Sequence, residues 1–383
     1  MSLFKRQGAL AVLFLAFALI AAACGGSDDT TTTAAAADDA TTTTAATTET
    51  TEAAEETTTT AEAMIGEGVT VGMAYDIGGR GDQSFNDSAA AGLDKAIADY
   101  GIDSQELEPT AGGENREENL RLLAEAGYPL NFAIGFAFAD GVIATAPEFP
   151  ETGFGLIDAV VDMPNVASLV FAEHEGSALV GAAAALKSET GKIGFIGGVN
   201  IGLIHKFELG YRFGAEQINP DIDVLVQYLT EPPDFAGFND PAAGKEAALG
   251  MYDQGADIVY HAAGGSGAGL FEAAKETSEA TGTKVWAIGV DSDQYNTSSE
   301  DVREYILTSM LKRVDVAVYT TITNFLNEGN QSGVLVFDLA ADGVGFSTSG
   351  GFIDDITPQL DDLRALIVTG QLVVPDVIGG STG

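Results

Sequence analysis

From Val69 onward, short apolar and β-branched runs that end in Gly or Asp alternate with helix-forming stretches, and this alternation leaves few architectures open to the chain. Apolar runs set between helices imply parallel strands buried on both faces of a sheet. In a first series the pattern predicts strands at Val69–Tyr75, Leu130–Gly135, Phe154–Ile157 and Val166–Phe171. Helices are expected at Ser84–Tyr100, with Ser84 as cap, at Glu114–Ala126 and at Glu173–Lys187. A second series places strands at Lys192–Ile196, Val224–Tyr228, Ile258–Ala262, Val285–Val290 and Ile306–Leu311. Its helices are Leu203–Gln217, Pro241–Gln254, Gly269–Glu279 and Val314–Leu326. Two such series in 383 residues predict an α/β protein of two doubly wound, Rossmann-like lobes joined by a hinge. The N-terminal lobe is expected to take residues 64–172 plus about 292–327, and the C-terminal lobe 173–291 plus about 328–383. The 47 glycines suit the many tight strand-to-helix turns of such a fold. Open parallel sheets bind ligands beyond the carboxyl ends of their strands, so two facing lobes would line one cleft with the residues that follow each strand.

The first 24 residues read as an address: Lys5 and Arg6 precede an apolar run, Ala9 to Ala23, too short to span a bilayer comfortably. The run ends in Ala21-Ala22-Ala23-Cys24, which resembles a bacterial lipoprotein box with Ala21 where Leu is usual. Cys24 is therefore the expected lipidation site, anchoring the chain on the extracytoplasmic face of the cell membrane. Residues 25–63 are Thr, Ala, Asp and Glu with almost no large apolar side chain, the composition of a disordered acidic linker.

The formal charge of −40 argues against nucleic acid and anionic lipid as partners. Nine of the acids fall in residues 28–63, leaving 48 against 17 bases elsewhere, an excess read as surface solubility of the kind that suits a salty medium. A single cysteine allows neither an internal disulfide nor a thiolate metal site. The three histidines, His174, His205 and His261, are far apart in sequence, so neither a metal site nor a cofactor is expected.

The run Asp76-Ile77-Gly78-Gly79-Arg80-Gly81-Asp82-Gln83-Ser84-Phe85-Asn86 resembles the D-x-G-G-x-x-D-x-S-F-N signature of the basic membrane protein family, purine-nucleoside-binding lipoproteins of ABC importers. The likeness continues through Ile157-Asp158-Ala159-Val160-Val161-Asp162, Phe171 to Gly181, Phe195-Ile196-Gly197-Gly198 and Phe207-Glu208-Leu209-Gly210-Tyr211. It ends with the Ala263 to Gly267 turn, Ile288 to Gln294 and Thr308 to Asp315. The resemblance implies a type I periplasmic-binding-protein fold, a monomer that carries a purine nucleoside in its interlobe cleft to an ABC permease. It further implies that Phe85 and Phe238 stack on the base, and that Asp76, Asn86 and Asp158 meet its polar edge. Asp291 and Lys312 would hold the ribose hydroxyls with Gly265 nearby, and Asp140 is a weaker ligand-binding candidate. The stretch Ala137 to Thr152 is shorter and richer in proline than the family's helix there, and Glu231 to Ala236 is insertion-like, which leaves Phe235 as a rival to Phe238. Asp82 is expected to order its loop, Glu208 and Tyr211 to be structural, and Trp286 to lie in the core.

Two other classes compete. An enzyme would need more than the Gly197-Gly198 and Gly264 to Gly269 turns, which match neither the dinucleotide fingerprint nor a nucleophile elbow, so no catalytic residue is assigned. The same fold could bind a sugar or a signalling molecule for transport or sensing, because aromatics and a lysine beside carboxylates suit a sugar almost as well.

Overall fold

The structure, a computed structural model, describes residues 64–377; Cys24, the apolar leader and the 25–63 segment lie outside the described residues. Two six-stranded sheets carry the fold. In chain order the first lobe is built from β1 (Thr70–Ala74), α1 (Phe85–Tyr100), β2 (Asp103–Leu107), α2 (Arg116–Glu125), β3 (Leu130–Ala133), α3 (Ala139–Thr145), β4 (Gly153–Ile157) and β5 (Val166–Phe171). The chain then crosses into α4 (Glu173–Lys187), β6 (Lys192–Val199), α5 (Gly202–Ile218), β7 (Asp223–Thr230), α6 (Pro241–Asp253), β8 (Ile258–Ala262) and α7 (Gly267–Thr281). β9 (Trp286–Asp291), α8 (Gln294–Thr297) and β10 (Ile306–Lys312) follow. The last elements are α9 (Val314–Glu328), β11 (Gly333–Phe337), β12 (Val344–Phe346) and α10 (Thr357–Val368).

The first sheet runs β11-β5-β4-β3-β1-β2, parallel throughout. The second runs β12-β10-β9-β8-β6-β7, parallel except for β12. Strands β3, β4 and β8 are buried along their whole length, because helices cover both faces. Leu93 of α1 is wholly buried; removing such a side chain from water contributes about 1.5–3 kcal/mol. The Ala-rich α4 lies almost entirely inside, and its contact with α5 is unusually close. A Cβ on Gly214 would overlap the carbonyl oxygen of Ala178, and one on Gly181 that of Tyr211, so only glycine lets these backbones touch.

The chain passes between lobes three times: after β5, after β10 and after β11. This corrects the expected division. β10 was expected with the first lobe, inside the 292–327 segment, but it pairs with β9 and with β12 in the second sheet. Its residues Ile306 to Met310 are wholly buried, which an apolar strand gains by sitting between two others. α9 then packs on α1, and β11 joins β5, so the inserted segment of the first lobe is 313–337. Three further strands, β2, β11 and β12, and the helices α3, α8 and α10 extend the pattern expected from sequence.

Candidate functional site

The carboxyl ends of the two sheets face a cleft lined by residues of both lobes, the place where ligands of such sheets bind. The loop after β1 forms one wall and is tied down by its own acids. Asp82 accepts from the backbone N–H groups of Ser84 (2.9 Å), Asn86 (2.9 Å) and Asp87 (3.1 Å) and from the Asn86 side chain (3.0 Å). Asn86 Oδ1 in turn accepts from the Asp76 N–H at 3.2 Å. Burial pushes the carboxyls of Asp76 and Asp82 upward, opposed by Arg116 at the first and by backbone donors at the second.

The same loop reaches the opposite lobe. Ser84 was expected to cap α1; its hydroxyl instead donates to Asp291 Oδ2 at 2.6 Å, and Ser292 Oγ donates back to the Ser84 carbonyl at 2.8 Å. Gln294 Nε2 and Thr297 Oγ1 both donate to the Gln83 carbonyl at 3.1 Å. Gln294 Oε1 also receives the Val290 N–H and meets His261 Nε2 at 2.9 Å. Burial lowers His261 to about 4, so its ring is neutral and Nε2 supplies the proton of that contact.

One end of the cleft is ionic. Lys312, 2% exposed, lies 2.6 Å from Asp158 Oδ2 and 3.3 Å from Glu173 Oε1. Glu173, itself buried, is shared with Lys206 at 3.3 Å. The Lys312 ammonium also sits 5.3 Å from the Phe85 ring centroid and 5.5 Å from that of Phe207, in cation–π range. Burial acts to lower this lysine, but Asp158, Glu173 and Asp291 outweigh it and hold its pKa above the ordinary value. Desolvation raises Asp158 to about 6 against the pull of Lys312, so the pair stays ionised at neutral pH. Desolvation raises Asp291 to about 7, with Lys312 and Ser84 opposing. Both acids occupy the left-handed region, Asp158 at φ 69° and Asp291 at φ 63°, a conformation that side-chain-bearing residues adopt at a cost and that clusters at functional sites. Asp158 Oδ1 is buried and has no hydrogen-bond partner among the described residues.

The other end is aromatic. Phe136 packs edge-on against Phe235 (5.7 Å between centroids) and Phe238 (6.3 Å). Arg116 closes this end, its Nε donating to Asp76 Oδ1 at 2.7 Å and its Nη1 to the Gly113 carbonyl at 3.0 Å.

Of the residues expected from sequence, Asp76, Phe85 and Asn86 line the cleft from one lobe together with Asp158. Phe238, Asp291 and Lys312 line it from the other. Phe235 lines it as well, so the two phenylalanines are neighbours in one wall rather than alternatives. Asp140 does not reach it. A tight turn, Phe136–Phe138, follows β3 and turns Phe136 inward, which leaves Asp140 exposed in the first turn of α3. Gly265 is buried behind Gly264, which supplies the wall. Tyr211 is buried and Glu208 accepts from the Tyr228 hydroxyl at 2.6 Å, away from the cleft lining. Trp286 is only partly buried, packed on Phe352 under Lys284. Arg116, Phe136 and Phe207 were missed. Phe136 directly follows a strand and obeys the strand-end rule, and Phe207 stands in a motif already singled out. Arg116 follows β2, whose polar sequence hid the strand that would have pointed to it.

The arrangement offers carboxylate acceptors and a buried cation at one end, flat apolar faces at the other, and contributions from both lobes. The family described as "ABC transporter substrate-binding protein PnrA-like" (Bmp) matches residues 69–377. An "ABC transporter nucleoside-binding protein BmpA" of Lactococcus lactis subsp. cremoris is 34% identical over 321 residues, covering 78% of this chain and 87% of that protein. A solved ABC transporter solute-binding protein from Aeropyrum pernix K1 superposes with a TM-score of 0.70 at 30% identity, covering 80% of this chain and 94% of the other. The periplasmic binding protein of an arabinose ABC transporter from Shewanella sp. ANA-3 shares the fold alone, with a TM-score of 0.54 at 15% identity over 77% of this chain and 98% of the other. With two hinged lobes of the type I periplasmic-binding-protein fold, an interlobe cleft and a match over nearly all of its described residues, the chain belongs to the Bmp family of ABC transporter substrate-binding proteins.

Proposed function

We propose that the cleft binds a purine nucleoside, and that the protein, lipid-anchored at Cys24 outside the cytoplasm, delivers it to a membrane permease. The observation that carries the ligand is that Asp158 lines the cleft beside Lys312 and Asp291 while its Oδ1 is a buried acceptor with no donor among the described residues, in a cleft that also holds phenylalanines. Leaving such an acceptor unsatisfied costs about 1–3 kcal/mol, so a ligand that donates to it gains that much over one that does not. Ribose hydroxyls can donate to both acids and accept from the ammonium, which moves Asp158 from the base edge, where the resemblance implied it, to the sugar, because Lys312 holds its other oxygen. A purine offers two flat faces to Phe85 and to the Phe235–Phe238 wall. Because Asp158 and Phe85 belong to one lobe and Asp291 and Phe238 to the other, a ligand that touches both sets favours the closed arrangement over any open one. The anchor rests on the apolar leader that ends at the single cysteine.

Calorimetric titration of the purified, ligand-free protein with inosine, guanosine, adenosine, a pyrimidine nucleoside and ribose tests this. Purine nucleosides should bind with micromolar or tighter affinity, lost in Phe85→Ala and Asp291→Ala. Binding of ribose or another free sugar with silence from every nucleoside would overturn the nucleoside reading in favour of a sugar carrier.

A further inference from the structure

We infer that Arg116 is a specificity-determining residue, and that it makes the site favour 6-oxopurine nucleosides, guanosine and inosine, over adenosine. This rests on the nucleoside reading above. Among the described residues Lys312 and Arg116 are the two cations that line the cleft, and they share no partner: Lys312 meets Asp158, Glu173 and Phe85, Arg116 meets Asp76, Gly113 and Phe235. Lys312 is engaged by Asp158 and Glu173 at the ionic end. Arg116 belongs to the aromatic end, its guanidinium carbon 5.8 Å from the Phe235 ring centroid.

The guanidinium is fixed in orientation. Nε and Nη2 both engage Asp76 Oδ1, and Nη1 donates to the Gly113 carbonyl. Three of its five N–H groups are thereby engaged, which leaves two donors with no acceptor among the described residues. Beside them, Asp76 Oδ2 receives no hydrogen bond from the described residues, whereas Oδ1 takes the Ile77 N–H at 2.7 Å as well as Arg116. The pair therefore presents donors and a free acceptor side by side.

A sugar held by Lys312, Asp158 and Asp291 fixes the direction of the base. The six-membered ring of a purine points away from the glycosidic nitrogen, so the edge carrying position 6 is directed to the Arg116 end. In a 6-oxopurine that edge carries adjacent acceptors, O6 and N7, and a donor at N1. Arginine matches the first two and a carboxylate the third. Adenine carries an amino donor at position 6, which faces the guanidinium with like polarity. A single well-formed arginine contact of this kind discriminates by about tenfold or more.

The test is a displacement titration of the purified full-length protein with guanosine, inosine and adenosine, repeated for Arg116→Met and for Arg116→Lys, with thermal melts to confirm folding. The wild type is expected to bind guanosine and inosine about tenfold or more tighter than adenosine. Arg116→Met should erase the preference by weakening the 6-oxopurines about tenfold more than adenosine, and Arg116→Lys, which keeps the charge without the fork, should fall between. If Met at this position unfolds the protein by stranding Asp76, the wild-type ratio and the lysine variant decide. Equal or tighter binding of adenosine by the wild type, or an equal loss for all three nucleosides in the variants, would overturn the inference while leaving purine binding intact. Failure of all three to bind the wild type would instead remove the nucleoside reading itself.

Discussion

At the residue scale, the cleft is governed by charges taken out of water. Lys312, Asp158 and Glu173 form a buried cluster in which each group depends on the others. Lys312→Met strands two acids, and breaking such a cluster from one side costs about 3–5 kcal/mol. Urea unfolding should register that loss, and ligand affinity should fall with it; a variant as stable as the wild type would show that the cluster is solvated. Asp291 and Asp158, with pKa values raised by burial to about 7 and about 6, set the pH response. A raised carboxyl gives the ligand-free fold stability below its ordinary range that is lost as the pH climbs through the raised value. Ligand donors favour the ionised acids. Affinity should therefore rise between pH 5.5 and 7.5 and level off above, and calorimetry across that range checks it; a flat profile would mean the acids stay ionised throughout. These residues were legible because the strand-end rule and the D-x-G-G-x-x-D-x-S-F-N resemblance point to the same positions. Asp140 lies outside the cleft lining because the tight turn Phe136–Phe138 follows β3 and presents Phe136 there, leaving Asp140 exposed at the start of α3.

At the element scale, sequence periodicity located the buried strands and the long helices, since strands such as Ile258–Ala262 are apolar throughout. It failed where elements meet solvent. β2 reads Asp-Ser-Gln-Glu-Leu, an edge strand whose charges blunt pairing with other chains and also hide it from any hydropathy pattern. β12 is only three residues long, and its pairing with β10 is a long-range fact that local pattern does not carry. The α4–α5 contact was likewise invisible, because a glycine within a helix looks like a weakness until the neighbouring backbone is known. Gly214→Ala should lower stability by about 1–3 kcal/mol through overpacking against Ala178. Nucleoside affinity should change little, because Gly214 stands on α5 well beyond the turn that carries Leu203, Ile204 and Phe207 to the cleft. A variant with unchanged melting temperature would show that the helices can part without cost.

At the scale of the whole molecule, three crossings join two lobes, and the ionic end of the cleft sits beside two of them. Glu173 begins the helix after the first crossing and Lys312 ends the strand before the second, so their contact ties the hinge to the site. The lobes also meet through Ser84–Asp291 and through the Gln83 carbonyl, contacts that bridge the two sheets' loops. Small-angle scattering should show a more compact particle on addition of guanosine, and Thr297→Val, which removes one of these contacts, should expand the ligand-free particle; identical profiles in all states would argue against hinge closure. The two-lobed plan was legible from the doubled strand–helix series, but which lobe owns β10 was not, because a strand before a crossing looks the same whichever sheet it joins. The measurement that tests the central claim most directly is a crystal structure of the protein grown with saturating guanosine. The account predicts the base between Phe85 and the Phe235–Phe238 wall, with ribose hydroxyls on Asp158, Asp291 and Lys312. A nucleoside bound outside the cleft, or in it with the sugar at the Arg116 end, would contradict it.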